Sequence, residues 1–218
     1  MTDTRRPLNS RDTGWARRIA RWLSRTSLTP NRMSQGSILF AALACLAFWA
    51  SAHTGKTAAI VLLLLAALGC QLRLLCNLFD GMVAVEGGKS EPDGPFWNEA
   101  PDRAADLLIL TGAGLATGQL ALGLLAGALA IATAYIRELG RAEGLGPDFS
   151  GPFAKPQRMA AITAGAVLTA IELALFDTRY ALLVALIVTV LGTGTTALSR
   201  SARMIRALKR RPRDMSDT

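Results

Sequence analysis

Between residues 77 and 106 the chain reads NLFDGMVAVEGGKSEPDGPFWNEAPDRAAD, and its oxygen-bearing side chains fall at helical intervals. Asn77 and Asp80 stand three apart and share one helix face; Asn98, Asp102 and Asp106 stand four apart and share another. Two helix ends presenting such faces to each other can converge on one cation. The donors are all oxygens, with no His or Cys among them, which suits a hard ion: Mg2+, with Mn2+ as a substitute. Gly81, Gly87, Gly88 and Gly94 let a phosphate or nucleotide approach the backbone. Arg73, one turn before Asn77, is placed to bind phosphate or to balance Asp80. A second polar cluster carries Arg137, Arg141, Lys155 and Arg158. Arg137 and Arg141 share a helix face and Lys155 with Arg158 begins the next helix, so the four can surround an anionic group near the cation. They equally satisfy the ordinary excess of basic residues in a cytoplasmic loop.

The elements that must hold these groups are helices in a bilayer. The chain has 218 residues, 51% hydrophobic, 6% aromatic and 18% charged, with a mean hydropathy of +0.32. Apolar runs fall at 36–53, 57–79, 104–118, 120–136, 159–176 and 180–199. At about 20 residues per crossing they fill the chain with six spans and leave no room for a separate soluble domain. Their length and Leu, Ala and Gly content exclude disorder and the short alternating strands of a membrane barrel. The predicted fold is an all-α, six-transmembrane-helix bundle preceded by an amphipathic interfacial helix. The break between the third and fourth runs, Thr117-Gly118-Gln119, is the tightest. Leu107 to Ile136 covers roughly 45 Å as helix, so two crossings require the third helix to begin in the head-group region.

Residues 1–12 read as a mobile polar tail. Residues 13–33 read as the interfacial helix and a turn, with Trp15, Ile19, Trp22 and Leu23 opposite Arg17, Arg18, Arg21 and Arg25. The bundle is expected over 34–200 and a basic cytoplasmic tail over 201–218. The net charge of +8 is concentrated at the two ends and in one internal loop, which argues for anionic lipid and against nucleic acid. Basic residues before the first run and after the last place both termini in the cytoplasm. The site then faces the cytoplasm, and the short loops fit a bacterial inner membrane. Cys45, Cys70 and Cys76 read as small buried hydrophobes, His53 as an interfacial polar residue, and Glu172 as snorkelling or pairing with Arg179. Small residues at 112–118, 123–130 and 160–166 allow close helix approach, a homodimer included, or serve as filler.

The polar segment resembles the signature of the CDP-alcohol phosphatidyltransferases, D-x2-D-G-x2-A-R-x8-G-x3-D-x3-D. Its positions fall on Asn77, Asp80, Gly81, Ala84, Val85, Gly94, Asn98 and Asp102, with every interval met. A register ending on Asp102 and Asp106 would stretch the eight-residue interval to twelve. Two departures stand out: Asn77 and Asn98 replace aspartates, and Val85 replaces arginine. Formal charge falls from −4 to −2 unless two of Glu86, Glu99 and Asp106 compensate.

The resemblance implies an integral-membrane, metal-dependent transferase of phospholipid biosynthesis. It would move a phosphatidyl group from CDP-diacylglycerol to a small polar alcohol and release CMP. Asn77, Asp80, Asn98 and Asp102 would be the metal set; Gly81, Ala84 and Gly94 would lie against the nucleotide; Asp102 would be the general base. Arg137, Arg141, Lys155 and Arg158 would favour a phosphorylated acceptor such as glycerol 3-phosphate or inositol phosphate. The missing acids motivate the alternative of a catalytically silent member that binds lipid or partner proteins. A transporter would instead need ionisable groups at mid-membrane on several helices.

Overall fold

The computed structural model describes residues 13–211, with the side chain of Glu86 left out, and every regular element among them is an α-helix. In chain order these are α1 (Gly14–Ser24), α2 (Pro30–Ser51), α3 (Lys56–Glu86), α4 (Gly94–Ala116), α5 (Leu120–Ala142), α6 (Lys155–Phe176) and α7 (Ala181–Lys209). The expected tails at 1–12 and 212–218 lie outside the described residues.

Five helices, α2, α3, α5, α6 and α7, are long and apolar enough to cross a membrane. α4 is similar in length, but Glu99, Asp102, Arg103 and Asp106 make its first half polar. The six long helices pack side by side in a closed ring, in the order α2, α3, α6, α7, α5, α4. Phe48, Leu63, Ile109, Leu110, Met159, Ile162, Leu173 and Leu186 fill the interior. Leu39, Leu43, Leu64, Leu68, Leu191 and Leu198 point outward. A surface this apolar suits hydrocarbon rather than water.

The small residues serve the packing within the chain. A Cβ on Gly112 would meet the Cys45 backbone at 2.7 Å, and one on Gly114 would meet Gly123 at 2.9 Å. Glycine thus sets the α2–α4 and α4–α5 approaches. The break after α4 is where the sequence placed it, with Gly118 at φ 69°. The three cysteines are free, Cys70 fully buried, and the His53 ring lies tilted against that of Trp49, 5.2 Å between centroids.

Several boundaries differ from the sequence reading. The turn after α1 ends at Thr29, whose hydroxyl accepts from the Arg32 amide, and Pro30 already opens α2. α3 continues past the apolar run, through Asp80, to Glu86, because no helix stop occurs before Gly87-Gly88. α7 continues to Lys209, so 201–209 is helix rather than tail. α1 buries Ala16 and Ala20 against Leu78, Phe79, Met82 and Val83, while Trp15 and Trp22 remain largely exposed. Glu172 does not pair with Arg179. It accepts from the Ala181 amide at 2.9 Å, beside Thr169 accepting from Leu182 at 2.8 Å, so two α6 side chains satisfy the start of α7. Arg179 donates to the Ser51 carbonyl at 3.0 Å.

Candidate functional site

The polar residues gather at one end of the ring because the helices alternate in direction. Asn77 lies about 32 Å along α3, Asp102 about 12 Å along α4, Arg137 about 26 Å along α5 and Arg200 about 29 Å along α7. Lys155 opens α6. The connector between α3 and α4 is fastened to the start of α2 and to the turn before it: Asn31 donates to Glu91 and, at 2.9 Å, to Asp93, and Lys89 donates to the Thr26 carbonyl at 2.6 Å. The α3 and α4 faces therefore meet as expected, although Asn77 and Asp80 occupy the interior of α3, more than a turn before its end.

Two carboxylates form the centre. Asp106 is buried and bridges two guanidinium groups, accepting from Arg73 at 2.6 Å and from Arg158 at 2.8 Å. Asp102 accepts from Asn77 and Arg73 through Oδ1, the Arg73 contact being 3.4 Å, and from the Lys155 ammonium through Oδ2. Arg73 is completely buried, and its partners are Asp102 and Asp106 rather than Asp80. Burial of several charges is tolerable here because each has an opposite partner within hydrogen-bonding range.

Asp80 is the exception. It is 5% exposed, accepts from the Ser34 hydroxyl at 2.6 Å through Oδ2, and its buried Oδ1 has no partner. Asn77 Oδ1 is likewise buried without a partner. The amide orientation follows from chemistry, since a carboxylate only accepts and Asp102 must face Asn77 Nδ2. Two free oxygens thus sit three residues apart on one face of α3. That donor set fits a hard cation drawing its remaining ligands from water and phosphate, as magnesium commonly does. It does not fit a cage of carboxylates: among the described residues no three His, Cys, Asp or Glu side chains are grouped to hold a metal.

The compensating acids are engaged elsewhere. Asp106 is neutralised by Arg73 and Arg158, and Glu99 pairs with Arg103 and, at 2.5 Å, with Arg137. Asn98, one turn before Asp102, is exposed at the rim. Gly81 and Ala84 are half-buried beyond Asp80, and Gly94 opens α4 with nothing within 4 Å of where a Cβ would stand. Val85 is half exposed.

Of the basic cluster, Arg137, Lys155 and Arg158 line one cavity together with Asp102, Asp106, Arg103, Thr133, Phe149 and Arg200. Arg141 does not line it; it is exposed, 3.7 Å from Glu138. Arg158 Nε is buried with no acceptor. Five basic and two acidic side chains line this one cavity, an excess of positive charge.

Three contributors escaped the sequence reading. Ser34 reaches Asp80 from α2, and its only signal was a run of small polar residues at a span's start. Arg103 pairs with Glu99 and lines the cavity, and its only signal in the sequence is its place directly after Asp102. Arg200 belonged to the C-terminal basic group, yet it is buried and donates to the carbonyls of Ser150 at 2.8 Å and Thr133 at 2.9 Å.

No protein-family model matches the chain, and no curated protein matches it. Solved structures do. A Mycobacterium tuberculosis phosphatidylinositol phosphate synthase in complex with manganese and citrate superposes with a TM-score of 0.70 at 21% identity, over 86% of this chain and 88% of that one. The same enzyme with CDP-DAG bound gives 0.68 and 21%, over 86% and 92%. Its apo form gives 0.69 and 19%, over 92% and 100%. At this identity the likeness establishes a shared fold across nearly the whole chain.

Proposed function

We propose that this chain is an integral-membrane transferase that moves a phosphatidyl group from CDP-diacylglycerol to a small polar alcohol, with release of CMP. The observation that carries the reading is the hydrogen bond from Asn77 to Asp102, one helical turn from Asp80, between helices that lead into and out of the 87–93 connector at one end of the bundle. The fold of a synthase solved with CDP-DAG and with manganese supports it. α4 would be the sixth span, its polar first half standing in the head-group layer. α1 would lie in the interface with Trp15 and Trp22 toward lipid. Both termini and the site would face the cytoplasm of a bacterial inner membrane.

Asn77 and Asp80 supply free oxygens for Mg2+ or Mn2+, with Asn98 at the rim and Asp102 behind. The ion, when bound, offsets charge on the pyrophosphate as CMP departs. Asp102 borders the cavity, so an acceptor alcohol entering there beside Lys155 gives its proton to the carboxylate. The alcohol oxygen bonds to the lipid-side phosphorus while the bond from that phosphorus to CMP breaks. Arg103, Arg137, Lys155, Arg158 and Arg200 favour an acceptor that itself bears phosphate.

The test is CMP release from CDP-diacylglycerol by purified protein, with and without magnesium, against a panel of neutral and phosphorylated alcohols. Wild type is expected to release CMP only with metal, and Asp102→Asn to release none while eluting as a folded species. Undiminished activity in Asp102→Asn removes that residue from the mechanism. A catalytically silent lipid-binding protein is the second reading, favoured by the saturation of Asp102 with donors and the absence of a carboxylate cage among the described residues. Binding of CDP-diacylglycerol without turnover under any acceptor would establish it.

A further inference from the structure

Resting on the transferase reading, we infer that the site takes one divalent ion, not two, and takes it together with the pyrophosphate-bearing substrate, because Lys155 already supplies the second positive charge at Asp102. Three acids, Asp80, Asp102 and Asp106, share the cluster with three bases, Arg73, Lys155 and Arg158, so the formal sum is zero, although only Asp102 and Asp106 pair with those bases while Asp80 accepts from Ser34. Aspartates at 77 and 98 would have left two negative charges for metal; asparagines leave none. Arg103 and Arg137 are held by Glu99 and add no negative charge.

The donor inventory agrees with the charge. Both oxygens of Asp102 and both of Asp106 already accept hydrogen bonds from cations or amides. Among these acids and amides, the buried oxygens still without a partner are Asn77 Oδ1 and Asp80 Oδ1. Two donors satisfy one-third of an octahedral shell, so the other positions must come from water or phosphate. A dication entering this largely buried cluster of zero formal charge loses hydration and meets one carboxylate without a cationic hydrogen-bond partner, Asp80, too little to repay the loss. A pyrophosphate diester brings about two negative charges to that spot, so ion and nucleotide lipid each raise the other's affinity by the same factor.

Manganese binding to the full-length, detergent-purified chain, followed by loss of the free-ion electron paramagnetic resonance signal, measures this without turnover. Without lipid, Mn2+ should bind weakly; with CDP-diacylglycerol it should bind at one ion per chain and at least about tenfold more tightly. Lys155→Met should bind Mn2+ without lipid, and Asn77→Asp should shift affinity the same way, providing a second route if the Met variant does not fold. Two ions per wild-type chain, lipid-independent tight binding, or no gain in either variant overturns the inference. Radiolabelled CDP-diacylglycerol binding on the same preparation separates the two levels. No lipid binding overturns the transferase reading and this inference with it; lipid binding with two ions overturns the inference alone.

Discussion

Asp106→Asn tests whether the buried ion cluster holds the bundle together. Asp106 receives Arg73 at 2.6 Å and Arg158 at 2.8 Å, and these guanidinium groups are 0% and 4% exposed. An amide keeps one acceptor oxygen but turns an N–H2 toward the other guanidinium. Removing one partner of a buried pair costs about 3–5 kcal/mol. Asp102, 3.4 Å from Arg73, remains as a secondary acceptor and places the loss near the lower limit, about 3 kcal/mol. For a chain of this length that is a fall in Tm of about 6–12 °C. Asp80→Asn is the internal control. Asp80 has no cation among its hydrogen-bond partners, and its Ser34 hydrogen bond survives the change. Relief of a charge with a free buried oxygen offsets the cost of an unmatched N–H2, leaving a change within about 1 kcal/mol. Metal-free protein in detergent, heated with a thiol-reactive dye, reports unfolding as Cys70 is uncovered. A shift below about 2 °C for Asp106→Asn, or a larger loss for Asp80→Asn, refutes the reasoning.

Asn98→Asp adds a carboxylate at the rim of the site, and Mn2+ affinity should rise or stay unchanged; a large loss would show that the asparagine belongs to a differently specialised site. Arg200→Ala frees the Ser150 and Thr133 carbonyls and should raise the acceptor KM by about tenfold while leaving that for CDP-diacylglycerol unchanged. An equal rise in both would place Arg200 in general stability instead. Burial would raise the pKa of Asp148, but hydrogen bonds from Ser150 and Arg203 outweigh it and hold this carboxyl below the usual range. The folded chain therefore binds this proton more weakly than the unfolded chain. The contact stabilises the loop above about pH 3.9 and is lost as pH falls through the lower folded value. Hydrogen-exchange protection across 143–154, relative to the intrinsic rate at each pH, should fall in acid, and Asp148→Asn should abolish that acid step.

The number and order of the long helices were legible from apolar runs, because a bilayer demands a fixed length of apolar chain whatever its neighbours are. The Gly118 break and the inner faces of α3 and α4 were legible for a related reason: helical spacing is a local property, so Asn77 with Asp80 and Asp102 with Asp106 could be paired on paper, while Asn98 of the same series is exposed. Boundaries set by polar residues were not. α3 runs through Asp80, and α7 runs through Arg203 and Arg206, since helix continuation needs only the absence of a stop signal.

The chain alone also determined that the site would be poor in negative charge. What it could not reveal was where the remaining charge goes. Arg73, Lys155 and Arg158 lie 82 to 85 residues apart along the chain at their widest, and Arg73 could have balanced Asp80 as readily as Asp106 on spacing alone. Only the closing of the ring brings the start of α6 across to α4, leaving Asp80 and Asn77 with free oxygens while Asp102 and Asp106 are filled. Partner choice among buried charges depends on distances of a few ångströms between separate helices, because the interior leaves little water to stand in for a missing partner.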